Sequence, residues 1–186
     1  MAFTKIQIIS LAFTEIGKDP INDISEAGKA GAAIDLHYDL LLTNLLTGYP
    51  WRFSTTQVQL VKLTAEPLKE WQYAYQLPAD YLAAIDVIPH SDYKIFEKYI
   101  YSNLDELFLE YRFKPETPNL PGYFVELFKF ELAKPLARFA TVKREIKADI
   151  DKEWLRARNE AISIDQMSYP NRIIKDSKVI DSRYGS

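Results

Sequence analysis

The stretch LLTGYPWRFSTTQVQL, residues 45–60, is where the hydrophobic period of this chain changes. Upstream of it, apolar residues recur every three or four positions, as a helix requires. Downstream, Val58, Leu60 and, after a slip, Leu63 alternate with polar residues, as a half-buried strand requires. Gly48 and Pro50 are helix-stopping residues placed between the two regimes. Residues 49–53, Tyr-Pro-Trp-Arg-Phe, are therefore either a joint or an aromatic binding site. As a joint, Gly48 ends the helix, Pro50 fixes the turn, and Trp51 and Phe53 anchor the first strand in the core. As a site, Tyr49 or Trp51 sits at a subunit boundary, where such side chains dominate binding energy.

Working outward from this point, the spacing predicts a helix over about 25–47. Its stripe is Ala30, Ile34, Tyr38, Leu41 and Leu45, widened by Leu42 and Leu46, with Ser25 as N-cap and Glu26 in the first turn. Gly28 and Gly31 lower helix propensity there and permit close approach of a neighbouring helix. An earlier helix over about 4–17 carries Ile6, Ile9, Phe13 and Ile16 and ends at Gly17.

Beyond the joint, strands are expected in 53–63, 73–77, 82–88, 93–101 and 106–113, punctuated by Pro67, Pro78 and Pro89. The last of these has a short helix as its rival reading. Pro115, Pro118 and Pro121 mark the return to helix. The third helix, about 121–140, bears Phe124, Leu127, Phe128, Leu132 and Leu136, and Pro135 should kink or end it locally. The fourth, about 141–166, bears Ile146, Ile150, Trp154, Ala157, Ala161 and Ile164.

The expected fold is thus α+β and mainly α. Residues 1–50 and 121–167 form a four-helix bundle-like body, 51–120 an inserted antiparallel β region, and 168–186 an extended C-terminal arm. The arm carries Arg172, Lys175, Lys178 and Arg183 against Asp176 and Asp181, interrupted by the apolar pairs Ile173-Ile174 and Val179-Ile180. Such a segment is disordered or takes its order from a partner.

Composition narrows the function classes. The 186 residues carry a net charge of −3, against the clustered basic excess that polyanion binding needs. Helix 143–158 holds six basic and four acidic residues, a balance that argues against a duplex-binding face. With no cysteine there is no disulfide, thiolate metal site or thiol nucleophile. The start of the chain lacks a signal-peptide pattern, and no apolar run approaches the ~18 residues of a membrane span, so the expected setting is a cytosol without a membrane.

Catalytic signals are sparse. His37, inside a helix, reads as a packed structural residue, and His90, after Pro89, as a turn residue; neither has metal-ligand spacing. Gly28-Lys29-Ala30-Gly31 is not a phosphate loop, and no nucleophile elbow is present. The reading is of no enzyme, no cofactor and no metal. The aromatic content, 12 Tyr and 10 Phe, suits surfaces buried on assembly, although strands favour the same residues.

Two motifs taken together carry a resemblance. Ile16-Gly17 closes a first helix. A second helix then runs into Tyr49-Pro50-Trp51-Arg52-Phe53. After a spacer comes Tyr73-Ala74-Tyr75-Gln76-Leu77-Pro78-Ala79-Asp80. In this order the chain resembles the head-to-tail adaptors of short-tailed bacteriophages, the tail tubular protein A type. The resemblance implies a virion protein assembled in the host cytoplasm. It implies a homo-oligomeric ring, commonly a dodecamer, that joins the portal protein to the tail nozzle protein and lines a channel crossed by double-stranded DNA. It implies an arm that docks on the portal, here through Tyr169, Arg172, Ile173, Ile174, Lys178, Val179, Ile180 and Tyr184. The joint or subunit interface would comprise Tyr49, Trp51, Phe53, Tyr73 and Tyr75. Another connector or stopper ring, a small-molecule enzyme, and a host regulator stay open beside it.

Overall fold

The computed structural model describes residues 2–64, 67, 69–140 and 142–168. The arm expected at 168–186 lies, apart from Ser168, outside the described residues.

Helix α1 spans Lys5–Glu15. Thr4 and Gln7 form a reciprocal capping box at its start, and Gly17, at φ +72°, closes it while Lys18 donates back to the Phe13 carbonyl at 3.1 Å. Helix α2 spans Gly28–Thr47, three residues shorter at its start than the sequence predicts. The cap is Asp23 rather than Ser25. Its carboxylate accepts from the Ser25 amide at 2.8 Å and starts a 3-10 turn over Ile24–Ala27. Gly28, at φ +53°, separates that turn from α2. Gly31 lies so close to it that an added Cβ would stand 2.4 Å from the Ile24 carbonyl oxygen. The close approach of a neighbouring helix expected at this glycine is corrected: the tight contact is with its own preceding turn. The buried stripe of α2 is Gly31, Ile34, Tyr38, Leu42 and Leu46, with Leu41 and Leu45 on its flank.

Six strands follow: β1 (Thr55–Gln59), β2 (Tyr73–Gln76), β3 (Tyr81–Ile88), β4 (Tyr93–Phe96), β5 (Tyr99–Ser102) and β6 (Phe108–Phe113). Phe53, expected to open the first strand, lies instead in a 3-10 turn, Arg52–Ser54. The single strand expected at 93–101 is the hairpin β4–β5, reversed at Glu97 with φ +53°. The segment that could have been a helix is β6, the central strand of an antiparallel sheet ordered β1-β6-β3. A second antiparallel sheet is ordered β2-β5-β4.

The chain passes between the sheets just after β1, where the Leu63 amide donates to the Ala74 carbonyl at 2.8 Å and Lys62 bridges Tyr75. Leu60, Tyr75, Leu77, Val87, Ile100, Leu107, Leu109 and Tyr111 form the buried cluster of this β region.

Helices α3 (Gly122–Phe139) and α4 (Arg144–Met167) complete the fold. The four-helix bundle-like body of a mainly α protein is corrected here. Four helices share the chain with two three-stranded sheets, a mixed α+β fold, and the helices do not form a bundle. The physical reason is α3. It buries Phe124, Val125, Leu127, Phe128, Phe130, Leu132, Ala133, Leu136 and Ala137, far more than one stripe. A helix apolar on most of its circumference is enclosed. Helices α1, α2 and α4 each pack chiefly on α3. A bundle would instead need four one-striped helices around a common axis. Helix α3 continues through Pro135 to Phe139, so of the end or kink expected there the end does not occur.

The sheets are tied to the helices at fixed points. Arg112 of β6 donates through Nη1 to the Thr47 carbonyl at 2.9 Å, placing a cation at the C-terminus of α2. Lys114 pairs with Asp39 of α2 at 2.7 Å. Leu82 and Phe53 pack against the helical core. No helix among the described residues is long and apolar enough to cross a membrane.

Candidate interaction surface

Residues 49–53 lie at the corner where α2, α3, α4 and β1 converge. Trp51 is 1% exposed. Its ring meets Tyr49 and Phe124 edge-on, at centroid separations of 4.7 and 5.1 Å, and Phe53 at 6.1 Å. Its indole N–H donates to the Leu45 carbonyl at 2.9 Å. That carbonyl belongs to the last turn of α2, where no further helical N–H is available, so the indole satisfies a helix end. Phe53 is half-buried and packs on Phe124 at 4.9 Å and Tyr123 at 6.1 Å. Tyr49 is half-buried, and its hydroxyl accepts from Gln166 Nε2 at 3.1 Å.

The corner is closed by a residue that the sequence did not single out. Asp165, on the last turn of α4, is 1% exposed. Its two oxygens accept from the Arg52 amide at 3.0 and 3.2 Å, and one also accepts from the Tyr123 hydroxyl at 2.8 Å. A buried carboxylate is tolerated because donors meet it, and here one of them opens the 3-10 turn at Arg52. The signal was present but faint. Asp165 continues the buried positions Ala157 and Ala161 at a spacing of four, yet in a helix this charged an acid at that place reads as solvated.

Tyr73 and Tyr75 lie away from this corner, on β2. Tyr75 is 1% exposed in the β core, and its hydroxyl donates to the Leu104 carbonyl. Tyr73 is half-buried, with Lys62 Nζ 4.7 Å from its ring centre. Farther along the same motif, Asp80 accepts from the Tyr111 hydroxyl at 3.0 Å. The residues proposed for the arm, Tyr169, Arg172, Ile173, Ile174, Lys178, Val179, Ile180 and Tyr184, lie outside the described residues.

The two histidines lie in different surroundings. His37 stacks on Phe139 at 6.0 Å with planes 13° apart, and His90 faces Asp86 from an exposed turn at 3.1 Å. An open cleft beside α1 is lined by residues that include Thr4, Gln7, Ser10, Thr14 and Asn22, and no titratable side chain is among its lining residues.

The exposed feature of the helical side is apolar. Leu36 is 80% and Leu40 56% exposed, four residues apart on the face of α2 opposite Ile34, Tyr38 and Leu42. His37 lies beside them on the helix, and its stacking partner Phe139 is itself 43% exposed. The periodicity of α2 could have shown this: once the stripe is 34, 38, 42 and 46, the leucines at 36 and 40 have no place in it. No protein-family model and no curated protein matches the chain.

Proposed function

We propose that the protein is a structural virion component, a head-to-tail adaptor whose identical copies form a ring between portal and tail around the path of the DNA. It works by docking, without turnover. The observation that carries this reading is the Leu36–Leu40 face with its neighbour Phe139. Large apolar side chains left in water on one side of a long helix suit burial against another subunit. The order of the two aromatic motifs along the chain supports the same reading. The arm, residues 168–186, is the proposed portal contact. A net charge of −3 suits a conduit that must let DNA pass without gripping its phosphates.

The test is a light-scattering mass of the wild-type chain and of Leu36→Glu/Leu40→Glu, each alone and with the candidate portal. Both substitutions fall on exposed positions, so the thermal midpoint should stay near that of wild type. Ring formation should be lost. A double variant that assembles like wild type removes the α2 face from the interface. A wild-type chain that binds no portal and stays monomeric removes the adaptor reading. Electron microscopy of the assembled particle would separate an adaptor from another ring at a different level of the connector.

A further inference from the structure

A ring of identical subunits is not closed by one face meeting itself. A patch that pairs with its own copy gives a two-fold dimer. A ring needs two different patches on each subunit, one meeting the other on the next subunit. The exposed face of α2 supplies one patch, and the described fold holds a second that fits it.

That second patch is the open cleft beside α1, about 490 Å³ in volume. It runs along the side of α1 turned away from the buried Ile8, Ile9, Ala12 and Phe13. Its floor is firm, because Phe3, Leu11 and Ile21 pack against the helical core. Its polar side chains are already engaged within the chain. The Thr4 amide donates to Gln7 Oε1 at 2.9 Å, and the Gln7 amide donates back to Thr4 Oγ1 at 3.3 Å. Ser10 Oγ accepts from the Ile21 amide at 2.9 Å, and the Thr14 hydroxyl donates to the Leu11 carbonyl at 2.7 Å. Covering such groups with apolar surface leaves none of them without a partner, so the usual penalty for burying a polar group is small. A charged occupant would meet no counter-charge there, since no titratable side chain lines the cleft.

The α2 face matches this cleft in chemistry. Leu36 and Leu40 stand out from the helix as an apolar ridge. The neighbouring acids, Asp35 and Asp39, are paired with Lys5 at 2.8 Å and Lys114 at 2.7 Å, so neither brings an unpaired charge to the ridge. Two other clefts suit leucine less well. One, between the β2–β3 connection and the β4–β5 reversal, includes Glu97 and Lys98, and one beside Gly17 includes Glu15, Asp149 and Glu153. Leucines seated in either would strip water from charged groups.

We propose that Leu36 and Leu40 of one copy seat in the cleft beside α1 of the next copy. The occupant of the cleft is a second copy of this chain, and each subunit offers a ridge to one neighbour and a cleft to the other. The volume lies within the roughly 300–1,000 Å³ that encloses a small ligand, which is ample for two leucine side chains. This names the partner of the α2 face and rests on the ring proposed above.

The absence of cysteine permits a direct test in the full chain. Chains carrying Leu36→Cys or Leu40→Cys are mixed with chains carrying Thr14→Cys or Asn22→Cys, at exposed positions lining the cleft. Disulfide formation under mild oxidation is followed by non-reducing gel and mass, without and with the candidate portal. Val61→Cys, exposed on the β region, replaces the ridge cysteine as control. A disulfide needs its Cα atoms within about 7 Å, so at least one ridge–cleft pair should cross-link ~10-fold faster than the control and than any variant with itself. Equal rates for all mixtures overturn the proposal. Fastest cross-linking of Leu36→Cys or Leu40→Cys with itself overturns it in favour of a two-fold contact. As a second readout, Thr14→Glu/Asn22→Glu places carboxylates in the cleft and leaves the α2 face untouched. Both positions are exposed, so the thermal midpoint should stay near that of wild type while the light-scattering mass falls to that of the monomer. If this variant assembles like wild type, the cleft is refuted and the adaptor reading stands. If the wild-type chain stays monomeric without and with the portal, both are overturned.

Discussion

Trp51→Ala tests whether the aromatic corner is a structural anchor of the single chain. The side chain is 1% exposed and touches Tyr49, Phe53 and Phe124. Truncating a large buried aromatic costs about 3–5 kcal/mol, from lost burial and the cavity left behind. Against a domain stability of about 5–15 kcal/mol, this is a large share of the whole. The indole N–H adds a separable part. Trp51→Phe keeps most of the apolar volume but removes the donor to the Leu45 carbonyl, which should cost about 1–3 kcal/mol. The expected order is therefore wild type, then Phe, then Ala. Urea unfolding followed by far-ultraviolet circular dichroism gives both midpoint and slope, and the slope should hold while the midpoint falls. An Ala variant within ~1 kcal/mol of wild type would refute the reasoning, because no buried tryptophan is that dispensable. If that stable variant also failed to assemble, Tyr49 and Trp51 would belong to a subunit boundary instead.

Asp165→Ala should destabilise by about 1–3 kcal/mol, because the buried Arg52 amide and the Tyr123 hydroxyl both lose their acceptor. A double-mutant cycle with Tyr123→Phe should show a coupling above ~0.5 kcal/mol in the same unfolding assay. Gly31→Ala should lower stability by about 1–3 kcal/mol despite the better helix propensity of alanine, since the new methyl would collide with the Ile24 carbonyl. Gly122→Ala, at an open position opening α3, should instead be neutral or gain up to ~1 kcal/mol; paired thermal melts decide the two signs. Burial pushes the Tyr38 and Tyr111 hydroxyls up to about 12, with Asp39 adding to the first and the Asp80 contact to the second. The unfolded chain ionises these phenols near the ordinary value of 10.0, so it sheds protons first. Stability should then be intact below that pH and fall as pH rises through the interval up to about 12, and Tyr111→Phe should flatten the fall in an alkaline titration of the unfolding midpoint.

Much of this architecture could be read from local pattern. The change of period at Gly48 separated helix from strand, because Gly48 and Pro50 act on the backbone directly and need no tertiary partner. The helices at the two ends fell within a few residues of their places for the same reason. What failed was the inference from four helices to a bundle. Stripe counting credited α3 with five core residues and overlooked Val125, Phe130, Ala133 and Ala137, whose burial depends on packing by α1, α2 and α4 from several sides. The Ser25 cap failed because Asp23, two residues earlier, offered a carboxylate to the same backbone. The hairpin reversal at Glu97 was invisible because it uses a positive φ at a residue that gives no turn signal. At the candidate site, Tyr49, Trp51 and Phe53 could be named from the sequence, and Asp165 could not. An acid among charges on a surface-like helix is distinguished only by the donors that come to it from residues 52 and 123.

The corner also bears on how the exposed face of α2 is presented. Trp51 closes the end of α2 from one side, and Asp165 opens the turn before β1 from the other. Between them they fix three directions at once: the axis of α2 with its exposed leucines, the start of β1 with its open edge, and the last turn of α4 from which the remaining chain departs. That rigidity bears on assembly. A face on α2 held rigid by the corner loses little freedom when a neighbour covers it, so two leucines and a phenylalanine can contribute more there than the same side chains on a mobile loop.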